Sequence, residues 1–305
     1  MLVISTITIH DRCVELQQMR YVVAVAETGS FTRAAERCLV VQSALSHQIA
    51  KLERELGARL FDRTSRRVRL TPAGSAFLPA ARQALDAAER ARAEVSAATG
   101  EIRGRLAIGA IPTLAAVDLP TVLKEYHQSH PHVRISLRTM ASELLIEQVR
   151  DGSMDAAFLG VLPGTAPPGV EHRELIHDRL MAVVWPGHPL AGETEIELRQ
   201  LAGETFIDFP AGTVGRAQSD HAFAASGVRR EVPFEVSAGD LMIRMVRTGL
   251  GVTMLPAAFT PQIEGVRTLC VRDAPARVEM LIWSRFTPSP AAAAFLDALG
   301  ARTDP

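Results

Sequence analysis

Between Leu16 and Gly57 the chain repeats one pattern three times: a short run of apolar residues spaced by three and four, each closed by a turn. In the first run Leu16, Met19, Val22, Val23 and Ala26 share one helical face, and Gly29 ends it. Ser30 is placed to cap a second, shorter helix, FTRAAERC, with Phe31, Ala34, Ala35 and Cys38 on one side. After the turn LVVQ, the run SALSHQIAKLERELG carries a third stripe of Leu45, Ile49, Leu52 and Leu56, stopped by Gly57. So many short amphipathic helices in succession can bury their stripes only against one another, so they predict a small helical domain.

Three helices with a tight turn between the second and third predict a helix-turn-helix, whose third helix enters the major groove of duplex DNA with its early residues toward base edges. Gln42, Ser43, Ser46 and His47 are the candidate readers. Gln can pair bidentately with adenine, Ser bonds to several bases, and His reaches guanine acceptors or phosphate. The following segment, RLFDR and VRLT around TSRR, reads as a two-stranded wing. Arg59, Arg63, Arg66, Arg67 and Arg69 stand there against Asp62, a density suited to phosphate and minor-groove contact. Lys51 and Thr71 complete the candidate DNA-binding set.

Charge separates this head from the rest. Residues 1–72 carry 11 Lys+Arg against 7 Asp+Glu, a net of +4, and the remainder carries 22 against 27, or −5. Only the head is therefore expected to meet a polyanion. A chain of 305 residues, 47% hydrophobic and 22% charged, has material for two or three folded domains. Cys13, Cys38 and Cys270 are too few and too dispersed for a disulfide framework or a zinc site, which fits a reducing compartment. Both Cys38 and Cys270 are expected to be small buried hydrophobes, and Cys270 has no neighbour to resolve a peroxide-oxidised thiol. No export signal and no membrane span are read, so a cytoplasmic location is expected.

Thr71-Pro72 pairs an N-cap with proline at the first helical position. The alanine-rich run that follows predicts a helix about 40 Å long over residues 73–103, with Pro79 tolerated as a slight kink. Phe77, Ala81, Ala84, Leu85, Ala88, Ala91 and Val95 form a near-heptad seam that needs a partner, either a second chain or the chain's own remainder. From Gly104 the texture alternates: strands at RLAIGAI, VRISLRTM and DAAFLGV with helices at LPTVLKEYHQSHP and SELLIEQVRDG, a series that argues a parallel sheet. A second series follows: LMAVVWP, TFIDFP, a helix near GRAQSDHAFAASG, EVPFEVS, the helix DLMIRMVRTG and GVTMLP. The strand VEMLIWS and the helix PAAAAFLDALG close it.

The stretch from Glu15 to Leu78, with AVAETGSFTRAAERC, QSALSHQIAKLERELGARLFDRT and RRVRLTPAG, closely resembles the DNA-binding domain of the LysR-type transcriptional regulators. Three positions depart from that family's pattern. Val41 stands where a capping Ser or Thr is usual, Ser43 where Pro is common, and His47 where Arg is common. The resemblance implies an α/β multidomain chain: a winged helix-turn-helix over 14–72, a linker and dimerisation helix over 73–103, and a two-lobed, periplasmic-binding-protein-like effector domain over 104–305. Lobe 1 is expected at about 104–175 and 275–305, and lobe 2 at about 176–274. The thirteen residues before Val14 read as a disordered extension, with translation starting at Val14.

The resemblance also implies an effector in the cleft between lobes. The turns at Pro112-Thr113 and Gly212-Thr213 are expected to aim free backbone N–H groups there, favouring an anion. Thr113 leads the candidates, with Pro112, Thr213 and the strand-end residues Leu162, Phe209 and Ser237. His127, His130 and His132 lack an acidic or thiol partner in sequence and read as solvated, and HPLA at 188–191 as a structural turn. No metal or cofactor is expected. The implied function is a sequence-specific regulator with promoter DNA, RNA polymerase, a small carboxylate or aromatic acid, and further copies of itself as partners, as a homodimer or homotetramer. It activates a nearby operon and autoregulates, or mainly represses. An α/β enzyme and a solute-binding transport protein are the rivals; no GxSxG, Walker or strand-following GxGxxG motif supports the first, and the basic head opposes the second.

Overall fold

The computed structural model describes residues 14–63, 68–272 and 274–301. It divides into two compact units, residues 1–92 and 93–305. The proposed extension before Val14 lies outside the described residues.

In the first unit the three apolar runs become α1 (Leu16–Thr28), α2 (Phe31–Arg37) and α3 (Gln42–Leu56). Gly29 and Gly57 end α1 and α3 in the left-handed region, at φ 62° and 68°, which costs glycine no steric strain. Ser30 caps α2 by accepting from the Arg33 N–H. Val41 precedes α3 in extended geometry with no side-chain cap, and Ser43 does not replace it. In the turn before it, Leu39 takes φ 57° at 93% exposure.

The buried face of α1 is rotated from the predicted stripe. Gln18, Tyr21, Val22, Ala24 and Val25 are buried, whereas Leu16 is 45% exposed. The reason is local: Gln18 accepts the Glu15 N–H at 3.0 Å in a capping box, so a polar residue goes inward. Ion pairs Arg20–Glu89 and Arg82–Glu27 tie α1 to the long helix α4 (Pro72–Ala98). Leu45, Ile49 and Leu52 of α3 are fully buried against Val22, Val25, Phe31 and Phe61. At about 1.5–3 kcal/mol per fully buried apolar side chain, this small core depends on each of them.

Strands β1 (Phe61–Arg63) and β2 (Val68–Leu70) form an antiparallel hairpin with Asp62 opposite Arg69. One Glu53 oxygen accepts from the Leu60 and Phe61 N–H groups and so fixes the wing to α3. Thr71 Oγ1 donates to Arg59 O at 2.6 Å and accepts from Gly74 N, starting α4 as its cap. Gly74 has no room for a side chain: a Cβ there would lie 2.1 Å from the Leu60 carbonyl oxygen. Of the residues in α4, Gly74 and Ala81 are the buried ones; Val95 is 69% exposed.

The second unit is built on a mixed sheet in the order β4-β3-β5-β12-β6-β11-β7, with β10 also paired to β6. The strands are β3 (Gly104–Ala110), β4 (Val133–Thr139), β5 (Ala156–Val161), β6 (Val170–Val184), β7 (Glu195–Glu197), β8 (Thr205–Asp208), β9 (Glu231–Glu235), β10 (Thr253–Pro256), β11 (Arg267–Arg272) and β12 (Ala276–Ser284). The first βαβαβ series is parallel, β3 pairing with β4 and β5. β12 runs antiparallel to both β5 and β6. β8 and β9 pair in parallel, and Phe206 bridges to Val252 beside β10.

Strand β6 corrects the sequence reading, which starts that strand at Leu180. Its first part, VEHRELIHDR, is mostly exposed and carries no apolar alternation, so no period marks it; backbone pairing with β12 holds it. Partners change at Leu180, from β12 to β10 and β11. The sheet faces follow the two-residue period of strands. Leu106, Ile108, Phe158 and Leu281 meet Tyr126 of α5 (Leu119–Ser129) and Phe295 of α9 (Pro290–Ala298). On the opposite face Ala157, Leu159, Met280 and Ile282 meet Leu145 and Val149 of α6 (Ser142–Arg150). Beyond Leu180, Ala182 and Val184 pack with Phe223 of α7 (Val214–Ala225), and Val183 and Leu255 with Met242 and Val246 of α8 (Gly239–Arg247).

Candidate functional site

On α3 the buried stripe leaves the reader positions outward. Gln42, Ser43 and His47 are exposed and Ser46 is half-buried. The Gln42 amide nitrogen donates to Ser46 Oγ at 2.8 Å, which holds the two candidates at i and i+4 as one unit. Lys51 is drawn back toward the protein, 3.1 Å from Glu15 and 3.8 Å from Glu55. Thr71 is engaged at both ends as the α4 cap. Of Arg63 the backbone alone is described, opposite Val68; Arg66 and Arg67 lie outside the described residues.

In the second unit a cavity of about 380 Å³ is lined by residues at the C-terminal ends of β3, β4 and β8, the usual place for a ligand in an open α/β sheet. The sequence-predicted Pro112, Thr113, Phe209, Thr213 and Ser237 all line it. Leu162 does not line it; Gly160 is the contribution of β5, and Leu162 lies beyond the strand, 37% exposed.

The turn after β3 differs from expectation. Thr113 does not precede a helix directly: α5 begins at Leu119, with Asp118 as its cap. The N–H groups of Ala115 and Ala116 are not left for a ligand, because Glu279 Oε2 accepts both, at 3.0 and 2.8 Å. Glu279 is fully buried on β12, and such a carboxylate must find donors inside the protein. Its other oxygen accepts from Arg277 Nη2 at 2.9 Å, and Arg277 Nη1 donates to Thr113 Oγ1 at 3.3 Å. Burial lowers the affinity of the Arg277 guanidinium for its proton, and the nearby Glu279 and Asp178 charges oppose that. A Cβ on Gly160 would stand 2.6 Å from Arg277 Nη2, so glycine there is what lets the guanidinium lie over the strand.

The other wall comes from α7 and the end of β8. Thr213 caps α7, donating to Pro210 O and accepting from Arg216 N. The N-terminus of α7 again receives an internal carboxylate, Glu143 Oε2 accepting the Val214 N–H at 3.4 Å. Behind Phe209, Arg230 pairs with Asp208 at 2.7 Å and with Asp220 at 2.7 Å, its guanidinium about 5 Å from the Phe206 and Phe223 ring centres. Burial keeps the Asp208 carboxyl above its ordinary range despite Arg230. Burial also acts to raise Asp220, but hydrogen bonds from Arg230 and Arg216 overcome it and hold that carboxyl low.

Arg277, Gln218, Ser142 and Glu143 line the cavity without having been singled out in sequence. A signal existed for the first: Arg277 and Glu279 are opposite charges two residues apart at the head of an otherwise apolar strand, hence on one face. The thiols also part from expectation. Cys38 packs partly buried at the edge of the first core, and burial raises its pKa. Cys270 is exposed, because β11 alternates and Leu269 and Val271 take the inward positions. His132 pairs with Glu101 at 3.0 Å, and among the described residues no three His, Cys, Asp or Glu gather as a metal group. No helix of the described residues is long and apolar enough to cross a membrane.

A winged helix-turn-helix is here joined in sequence to an α/β unit with a cavity at its strand ends, the parts of a DNA-binding protein that also carries a ligand site. Residues 16–75 match the profile of the bacterial regulatory helix-turn-helix protein, lysR family, and residues 99–304 that of the LysR substrate binding domain. The uncharacterized HTH-type transcriptional regulator YnfL of Escherichia coli is 36% identical over 293 residues, 92% of this chain and 96% of YnfL. Full-length OxyR from Pseudomonas aeruginosa, a variant form, superposes with a TM-score of 0.72 at 26% identity, covering 94% of this chain and 95% of that one. Full-length CbnR complexed with its target DNA gives 0.64 at 25% identity, covering 94% and 99%. The chain belongs to the LysR family: it is a DNA-binding transcription regulator with an effector-binding domain, not an enzyme.

Proposed function

We propose that this regulator works in the cytoplasm as a homodimer or homotetramer. It reads its promoter through Gln42, Ser43, Ser46 and His47 while Lys51, Arg63, Arg66, Arg67 and Thr71 meet the backbone. A small carboxylate or aromatic acid binds the cavity at Pro112, Thr113, Phe209, Thr213 and Ser237. Binding shifts the population toward the arrangement that recruits RNA polymerase to a neighbouring operon, and the protein limits its own synthesis. The linker is the segment 73–103, helical as far as Ala98, and the lobes exchange near residue 176 and near residue 275.

The observation that carries this reading is the cavity itself: apolar walls around buried polar groups, Thr113, Ser142, Gln218 and Arg277, each at most 4% exposed. Interiors seldom leave such groups beside open space unless something fills it. The test is a footprint of the purified protein on the DNA upstream of its own gene at physiological ionic strength, with wild type and His47→Arg. A protected, partly palindromic site is expected, with His47→Arg changing the preferred base at one step of each half-site. Equal binding to promoter and random duplex, or an unchanged preference in the variant, overturns it.

A further inference from the structure

The buried polar groups around the cavity are unequal in what they lack. Ser142 has spent its hydroxyl, donating to Gly160 O at 3.1 Å and accepting from Gly160 N at 3.2 Å. Glu279 has both oxygens engaged by Arg277, Ala115 and Ala116. Arg277 Nε, in contrast, is buried without a hydrogen-bond partner, and so is Gln218 Nε2. Thr113 accepts from Arg277 through its oxygen, which leaves the hydroxyl hydrogen to be given elsewhere. Every group left wanting is a donor, and the donors stand on both walls: Thr113 and Arg277 on one, Gln218 of α7 on the other.

We infer that the cavity takes a monocarboxylate with an apolar body, its carboxylate bonded by Arg277 and Thr113 while Gln218 donates to a second acceptor on the same ligand. This rests on the reading of the cavity as the effector site. The choice of an anion follows from the guanidinium, whose planar donors match a carboxylate. Glu279, clamped by two backbone N–H groups, positions that guanidinium and cannot turn to satisfy its remaining hydrogens. Restriction to a single charge follows from the other ionic groups. Arg277 is the one cation among the lining residues; Glu279 engages its Nη2 and leaves Nε without a partner, while Glu143 puts a carboxylate on the wall. A second negative charge on the ligand would find no cation and would face Glu143. The body would lie against Phe209, Leu180, Met140 and Met254.

Thermal unfolding of the full-length protein tests this with metabolite-sized monocarboxylates, their primary amides and dicarboxylates of similar length. At least one monocarboxylate should raise the melting temperature and bind about tenfold or more tightly than its amide or the matched dicarboxylate. Gln218→Leu, which changes no charge, should weaken that ligand about tenfold. Arg277→Met combined with Glu279→Gln should abolish binding while the fold survives, because both charges of the buried pair go together and an amide oxygen at 279 can still accept the Ala115 and Ala116 N–H groups. No response to any monocarboxylate, equal binding of the amide, preference for a dicarboxylate, or full binding by the paired variant each overturns the inference. A neutral ligand whose effect is lost in Phe209→Ala would leave the cavity as the effector site and sink only the claim about charge. A ligand indifferent to every cavity substitution would sink the cavity reading itself.

Discussion

Val41 shows how a single residue can hold back stability where the fold would accept more. Its φ of −74° and ψ of 142° are those of an N-cap, yet its side chain makes no cap bond. Valine has no acceptor, so an orphan N–H of the first turn of α3 goes to solvent. Val41→Ser should stabilise the protein by about 1 kcal/mol, read as an upward shift in the unfolding of the DNA-binding unit. A lower melting temperature would mean that the 68% exposed Val41 side chain makes a contact worth more than the cap. Asp220 offers a test through pH. Its carboxyl is held below the ordinary aspartate range by Arg230 and Arg216, so its contribution is present above that ordinary value and is lost as pH falls through the lowered one. Half of the side chain is exposed, and the gain is therefore no more than roughly 1 kcal/mol. The stability difference between wild type and Asp220→Asn should be present at about pH 6 and shrink toward about pH 3; a difference independent of pH would show that the charge is not what matters.

Among the elements, α4 is decided at its two ends by opposite needs. At the start, Gly74 lies against the Leu60 carbonyl and the Leu70 side chain, so the helix can approach the wing only without a Cβ. Alanine is the better helix former by about 1 kcal/mol, and on propensity alone Gly74→Ala should stabilise. The contact predicts the reverse, a loss of about 1–3 kcal/mol as helix and hairpin are forced apart, measured by denaturant unfolding; a gain would show that the interface yields. At the far end Val95 is open to solvent, and Leu85 and Ala88 are only half-buried. A helix of 27 residues with so little of its seam covered leaves apolar surface exposed, which is where the proposed homodimer would pair. Val95→Glu should weaken self-association by about tenfold or more by sedimentation, because burying an unpaired carboxylate in an apolar seam is costly; unchanged assembly would remove α4 from the interface.

Across the whole molecule, what could be read in advance was whatever neighbours in sequence decide. The caps at Ser30 and Thr71, the stops at Gly29 and Gly57, and the stripe of Leu45, Ile49 and Leu52 are local facts, and helix and strand periods carry them. Even there, the face of α1 turned on Gln18, whose inward course depends on one capping bond. The charged half of β6 had no local mark, since its order comes from β12, about a hundred residues further along the chain. The cavity is the extreme case. Arg277 meets Thr113 across 164 positions, and Ala115 and Ala116 turn to a glutamate equally remote in sequence. The amino-acid order thus determined the helices, the wing, the apolar strands and the family, because hydrophobic period and turn chemistry act over a few residues. Which buried donors stand together without partners was decided only when the sheet brought distant strands side by side, since the strength of a charge or hydrogen bond depends on what surrounds it in space.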